Sequence, residues 1–250
     1  MKISLTTPDG QSIGKSEIED ALASIGWKTN DHYVVIVMQS NSTDYADSRT
    51  NTAENALEEH FRDSIRLDME GALALVVRYA DNQESLSGAW EGYRGILESE
   101  GLHCGVSTVF NEASLFWEYC NLAKLALDIG MRIEPEQAIH RYESIMLFHV
   151  VNLCSQALDI RLLCSEQILR IYEHDQKHGS DLIQTLYVYL LENKSLIRAS
   201  ERLHVHRNTM VYRLAKINEI ADLDMNDGKM RQNLLFSCTV LQYVDAMNKD

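Results

Sequence analysis

His206, Arg207, Asn208 and Thr209 stand together just ahead of the apolar series Met210, Leu214 and Ile217. These four side chains could recognise nucleic-acid bases. A guanidinium can take both acceptors on the edge of guanine, and a carboxamide can pair with adenine in the same two-point manner. Thr209, Tyr212 and Lys216 also lie outside the apolar series, and their hydroxyl and ammonium groups suit phosphate oxygens. Arg213 falls at the flank of that series, where a phosphate contact and a structural ion pair are equally open to it. Upstream, Ser195 has the spacing of an N-cap for a short helix. Arg198 and Arg202 on that helix read either as phosphate anchors or as solubilising charges. From Lys194 to Ile217 there are six basic residues against one acidic residue, Glu201, so this window is +5 in a chain of net charge −14 and the rest carries −19. Binding to a phosphate backbone requires cations that displace counterions, and this segment is the one that offers them.

The elements that must position these residues follow from the apolar spacing. Leu196, Ala199 and Leu203 form one helical set, and Met210, Leu214 and Ile217 form a second after a short break. Ala199 and Ser200 are small where the two helices must approach, and Val205 lies just past the corner to pin it. The pattern predicts a helix-turn-helix whose second helix, at about 206–218, presents its N-terminal residues to base edges. His204 occupies the corner, where the left-handed backbone conformation is needed; histidine tolerates it better than most residues. His204 and His206 have no cysteine or carboxylate at ligand spacing, so no metal is expected there.

The run VHRNTMVYRLAKI, with DLIQTLYVYLLENKS before it and DLDMNDGKMRQNLLFSCTVL after it, resembles the C-terminal DNA-binding domain of the PucR family of bacterial transcriptional regulators. The likeness runs from about 176 to 244. It implies binding to double-stranded operator DNA, control of a catabolic or metabolic operon, and an effector that changes how paired reading heads are spaced. An inverted repeat would be read by two copies, so a homodimer or a higher even oligomer is expected.

The chain of 250 residues has room for about two domains, and 45% hydrophobic residues supply their cores. No apolar run approaches the roughly 20 residues that span a bilayer. The opening MKISLTTPDG has no signal-peptide core either, so no membrane partner and a cytoplasmic location are expected. Cys104, Cys120, Cys154, Cys164 and Cys238 are widely spaced without a C-x-x-C pair, and read as reduced core residues. The acidic balance opposes general affinity for nucleic acid, and so favours one docking orientation.

Before the helix-turn-helix the pattern alternates. A helix is expected at 15–25, with Ser16 and Glu19 as a capping box and Gly26 ending it. HYVVIVM should be a buried strand, 52–65 a helix with Ala53, Leu57, Phe61 and Ile65 facing inward, and ALALVVRY a second strand with a short partner at 65–69 across the turn Glu70-Gly71. Leu86, Trp90, Tyr93 and Leu97 mark a helix stopped by Gly101. HCGVSTVF, 103–110, reads as a third strand. Asn111 should then cap an amphipathic helix bearing Leu115, Tyr119, Leu122, Ala126 and Ile129 and ending at Gly130. After an edge strand at 138–142 the pattern turns helical: 145–153, 160–173, a helix capped by Ser180 with Leu182, Leu186, Tyr189 and Leu190 on its face, a turn at Asn193-Lys194-Ser195, and a last helix with Leu234, Cys238, Leu241 and Val244.

The segment from about 31 to 143, most clearly GVSTVFNEASLFWEYCNLAKLALDIG, resembles the degenerate GGDEF-like domain of PucR and CdaR-type regulators. The implied fold is a layered α/β, ferredoxin-like domain followed by an all-α helix-turn-helix domain. The expected layout is an N-terminal helical extension at 1–30, the GGDEF-like domain at 31–143, connecting helices at 144–175 and the DNA-binding domain at 176–250. Nucleotide cyclisation would need acidic residues to hold Mg²⁺ on a triphosphate. The corresponding hairpin, RLDMEGALALV, has one glycine and no G-G-D/E-E-F, which leaves Asp68 and Glu70 as solvated turn residues. No catalytic residue, metal or cofactor is therefore expected. Two other readings stay open: a nucleotide-binding signalling protein with the helix-turn-helix as output, and an adaptor whose helix-turn-helix binds protein.

Overall fold

The computed structural model describes residues 83–248 continuously, and before them 31–39, 64–69, 72–79 and parts of 20–28 and 55–61. The chain divides into two compact units, Met1–Met146 and Leu147–Asp250.

The first unit is built on strands β1 (His32–Gln39), β2 (Ser64–Met69), β3 (Ala72–Tyr79), β4 (His103–Val106) and β5 (Ile139–Arg141), with helices α1 (Gln83–Glu100) and α2 (Phe116–Ile133). The sheet order is β2-β3-β1-β4-β5. The first four strands pair antiparallel, and β5 adds a parallel edge to β4. The order β4-β1-β3-β2, with helical residues at 55–57 and 59 between β1 and β2 and α1 between β3 and β4, is the ferredoxin-like arrangement that the resemblance implies.

From Tyr33 to Met38 the strand β1 is apolar throughout because both of its faces are covered, the condition under which a strand loses its polar alternation. Tyr33, Val35 and Val37 pack with Phe116, Cys120, Ala123 and Leu127 of α2 on one face. Val34, Ile36 and Met38 pack with Leu57, Phe61 and the α1 residues Trp90, Tyr93 and Leu97 on the other.

Several local expectations change in this unit. Ile65 belongs to β2, paired with Val76, rather than to the preceding helix, and it is buried on the face opposite to Leu57 and Phe61. The expected strand 103–110 ends at Val106, because the Ser107 hydroxyl accepts from Val35 N at 2.9 Å where the ladder would otherwise continue. Phe110 rejoins the sheet through a single bridge to Tyr33. Asn111 does not cap α2. A 3-10 turn at Ala113–Leu115 intervenes, and the helix opens at Phe116 with no side-chain cap. Ring packing fixes that start, since Phe116 meets Tyr33 and Phe110 edge-on at 5.4 Å each.

Gly130 does not end α2, which runs on to Ile133; a Cβ there would lie 2.4 Å from the His140 ring. Gly105 is tighter still, because its Cβ would fall 2.0 Å from the Ala123 carbonyl oxygen of α2. His140 is buried, its Nε2 has no hydrogen-bond partner among the described residues, and burial together with the neighbouring His103 pushes its pKa down to about 4. Of the expected first helix, Leu22 is buried and Gly26 takes φ +76°; Ser16, Glu19, Ala53 and the Glu70-Gly71 turn lie outside the described residues.

The division between the units falls within α3 (Tyr142–Ser155), which begins directly after β5 and earlier than the expected 145. The helix expected over 160–173 is two pieces, a 3-10 turn (Ile160–Leu163) and α4 (Glu166–His178). Ser165 separates them: its hydroxyl caps α4 at Ile168 N, and its own N–H donates to Ser237 Oγ at 3.1 Å. Then come α5 (Leu182–Leu191), α6 (Leu196–Arg202), α7 (Arg207–Ala221) and α8 (Gly228–Met247). Their shared core joins Ile168 and Ile171 of α4, Leu182, Leu186 and Leu190 of α5, Ile217 of α7, and Leu234, Cys238 and Leu241 of α8.

Ser180 does not cap α5. It donates to Asp175, whose carboxylate reaches across from α4 and accepts from Leu182 N at 3.0 Å and Ile183 N at 2.8 Å. Among the cysteines Cys104, Cys120 and Cys238 are buried, while Cys154 and Cys164 are only partly so. Burial pushes the Cys104 and Cys120 thiols up to about 12, far from the reactive thiolate range.

Candidate nucleic-acid interface

α6 and α7 form the expected helix-turn-helix, joined by a four-residue turn at 203–206. The chain enters it through Asn193 and Lys194, both left-handed at φ 51° and 63°, which lets Lys194 N donate back to the Tyr189 carbonyl at 2.8 Å. Ser195 caps α6 by accepting from Arg198 N. Ala199 and Ser200 are buried where α6 approaches α7, and Ala199 packs on Met210 and Val188. His204 takes φ 52° at the corner, and the next residue, Val205, donates to Ser200 O at 3.0 Å and packs on the same small cluster. Met210 and Ile217 are fully buried and Leu214 packs beside them.

With that stripe facing inward, Arg207, Asn208, Thr209 and Tyr212 face outward, Tyr212 being 69% exposed. His206 is the N-cap of α7, its Nδ1 accepting from Asn208 N at 3.2 Å. Its side chain is therefore engaged by the helix it precedes. The Arg207 side chain has no hydrogen bond or ion pair among the described residues, and it stands at the positive end of the helix dipole.

The remaining cations are engaged within the chain. Arg198 meets Glu192 through Nε at 3.2 Å and also donates to the Glu192 carbonyl oxygen at 2.8 Å; Arg202 meets the other carboxylate oxygen at 3.0 Å. Arg213 takes the structural alternative left open by its position, donating to Thr185 Oγ1 at 3.1 Å and pairing with Asp181 at 3.3 Å, which ties α7 to the start of α5. Lys216 pairs with Glu219 at 2.9 Å, and Lys194 donates to Asn226 at 2.9 Å. Asp181, Glu192 and Glu219 all lie outside the +5 window. From 181 to 219 the count is six basic against four acidic residues, so the local excess is +2. Apolar spacing leaves Val211 without a role, and it is 48% exposed, one turn beyond Arg207.

A ferredoxin-like sheet unit followed by a helical unit with a helix-turn-helix defines a two-part chain with a nucleic-acid-binding head. The sequence matches the PucR C-terminal helix-turn-helix domain over residues 182–240 and the GGDEF-like domain over residues 9–129. The chain thus carries a GGDEF-like domain followed by a helix-turn-helix domain of the PucR type. It is 24% identical to the proline-responsive transcriptional activator PutR of Bacillus subtilis over 50% of this chain and 33% of that protein. It is 32% identical to the purine catabolism regulatory protein of the same organism over 30% of this chain and 15% of that one. The matches thus span a third or less of these relatives' length. A regulator of polyketide synthase expression from Bifidobacterium adolescentis superposes with a TM-score of 0.36 at 15% identity, covering 90% of this chain and 86% of that one.

Proposed function

We propose that this protein is a transcriptional regulator that reads operator DNA through the N-terminal turns of α7, with the sheet unit serving dimerisation or effector sensing. The observation that carries the reading is the exposed Arg207, without a partner among the described residues, beside Asn208 at the head of a helix whose opposite side is locked into the core. Arg207 and Asn208 read base edges; Thr209, Tyr212 and Lys216 meet phosphates, the last by exchanging Glu219 for DNA. Ser195, His206 and Arg213 hold the frame, and Arg198 stands at the phosphate flank. The protein acts in the cytoplasm as a homodimer or higher even oligomer, so that two heads meet the halves of an inverted repeat.

The layout that serves this function is an extension at 1–30, the GGDEF-like domain at 31–143, connecting helices at 144–175 and the DNA-binding domain at 176–250. A small-molecule effector acts on the first of the two domains; the relative PutR is, by its name, responsive to proline. The sheet unit is not catalytic, since RLDMEGALALV lacks the acidic glycine turn that nucleotide cyclisation would need.

The test is selection of duplexes from a random pool at moderate salt, comparing the wild type with Arg207→Ala/Asn208→Ala. Enrichment of an inverted repeat by the wild type alone supports the reading. Equal enrichment by both proteins, or none by a folded dimer, refutes it and favours a protein-binding head.

A further inference from the structure

We propose that α7 also reads thymine, through the methyl groups of Val211; this rests on the operator-binding reading above. Val211 lies four residues after Arg207 and three after Asn208, so it shares their side of the helix one turn further on. Ala215 follows at the same spacing, and both residues are exposed. Val211 is 48% exposed and takes part in neither of the two described apolar clusters that hold Met210, Leu214 and Ile217.

About half of the Val211 side chain stays open to solvent, and a β-branched residue at such a helical position loses side-chain freedom that no apolar cluster among the described residues offsets. Its surroundings narrow the occupant. Arg207 and Asn208 border it with polar groups suited to base edges, and only the Ala215 methyl and the Tyr212 ring extend it, so the apolar spot is small. A protein partner would call for a broader apolar patch. What an apolar side chain recognises in the major groove is the 5-methyl group of thymine. The first turn then supplies hydrogen bonds to purines, and the second supplies an apolar contact to a neighbouring pyrimidine.

Methyl deletion on either side of the contact tests this. The duplex enriched by the wild-type protein is resynthesised with deoxyuridine replacing each thymidine in turn, and binding is measured for the wild type and for Val211→Ala at one salt concentration. At one thymine per half-site the wild type should weaken about fourfold on loss of the methyl group, the factor that one buried methyl supports. Val211→Ala should bind the thymine and uracil forms alike at that position. The substitution favours helix, and circular dichroism verifies that the variant is folded. A wild type indifferent to uracil at every position overturns the inference while leaving operator binding intact. So does a Val211→Ala variant that loses the same factor on the uracil form as on the thymine form. Failure of the wild type to enrich any duplex overturns both readings.

Discussion

In the sheet unit the strands satisfy one another's backbone, and its buried polar side chains among the described residues are Ser107 and His140. In the helical unit Asp175, Thr185, Ser200, Ser237 and Thr239 are all buried, and each has hydrogen-bond partners. The contrast follows from what has to be fixed. A ladder sets the register of a sheet through the main chain, so its side chains can be plain apolar filling. Helices packed through short apolar stripes can slide and rotate, and directional bonds between them remove that freedom. Asp175 fixes α5 on α4, Arg213 fixes α7 on α5, and Ser237 fixes α8 at the start of α4. On the proposed reading, in which the head places side chains against base edges, this kind of constraint is needed.

The largest effect should come from breaking the sheet unit where its layers are closest. In Gly105→Ala the new methyl would meet main-chain atoms of α2, the Ala123 carbonyl and the Leu127 amide, which cannot move aside as a side-chain tip would. A loss of about 3 kcal/mol is expected, at the upper end for overpacking. Trp27, Trp90 and Trp117 all lie in this unit, so denaturant unfolding followed by tryptophan fluorescence reports it directly. An unshifted midpoint would show that the layers can part at no cost.

In the helical unit the matching break is polar. Asp175→Ala leaves the first amides of α5 without acceptors and Ser180 without its partner, and should cost about 2 kcal/mol. Amide hydrogen exchange locates the damage: protection at 182–190 should fall more than protection in α2. Uniform loss across both helices would contradict a local capping role. A smaller, pH-gated effect returns to the sheet unit. His140 has its folded pKa pushed down to about 4, below the ordinary 6.5 of the unfolded chain, so the unfolded state takes up the proton first. Stability is therefore intact well above pH 6.5 and declines between 6.5 and about 4, the loss reaching on the order of 1 kcal/mol by pH 6. His140→Gln should flatten that slope in fluorescence-monitored unfolding between pH 7 and pH 5.

The same contrast explains what could be read from the sequence. The apolar strands β1 and β3, the two stripes of the helix-turn-helix, the Ser195 cap and the left-handed corner at His204 are local patterns, legible because neighbours along the chain create them. Contacts between distant residues were not legible. Asp175 lies seven and eight residues from the amides it caps, and Ser180, adjacent to the helix, has the type and place of a cap while serving the true one. Gly130 resembles a helix stop but makes room for His140, ten residues away. The basic window misled in the same way. Charge summed along a segment omits Asp181, Glu192 and Glu219, which lie outside it in sequence and against it in space.

The smallest effect expected concerns those neutralised cations. If Arg198 and Arg202 were free phosphate anchors, removing either should lower the slope of log binding constant against log salt by about one, as for any phosphate contact. Their shared hold on Glu192 predicts otherwise. To reach DNA, either arginine must release a carboxylate that would then face the phosphates, so the gain from one contact is offset by the charge it uncovers. Arg198→Ala should weaken operator binding about threefold or less, with a salt slope changed by well under one. Glu192→Gln sharpens the distinction: with the carboxylate neutralised Arg202 is released and Arg198 keeps only the main-chain carbonyl of residue 192, so operator binding should tighten and become more salt-dependent. If instead Arg198→Ala alone removes a full unit of slope, the pair on Glu192 dissolves on the DNA, and α6 carries phosphate contacts of the same kind as those of α7.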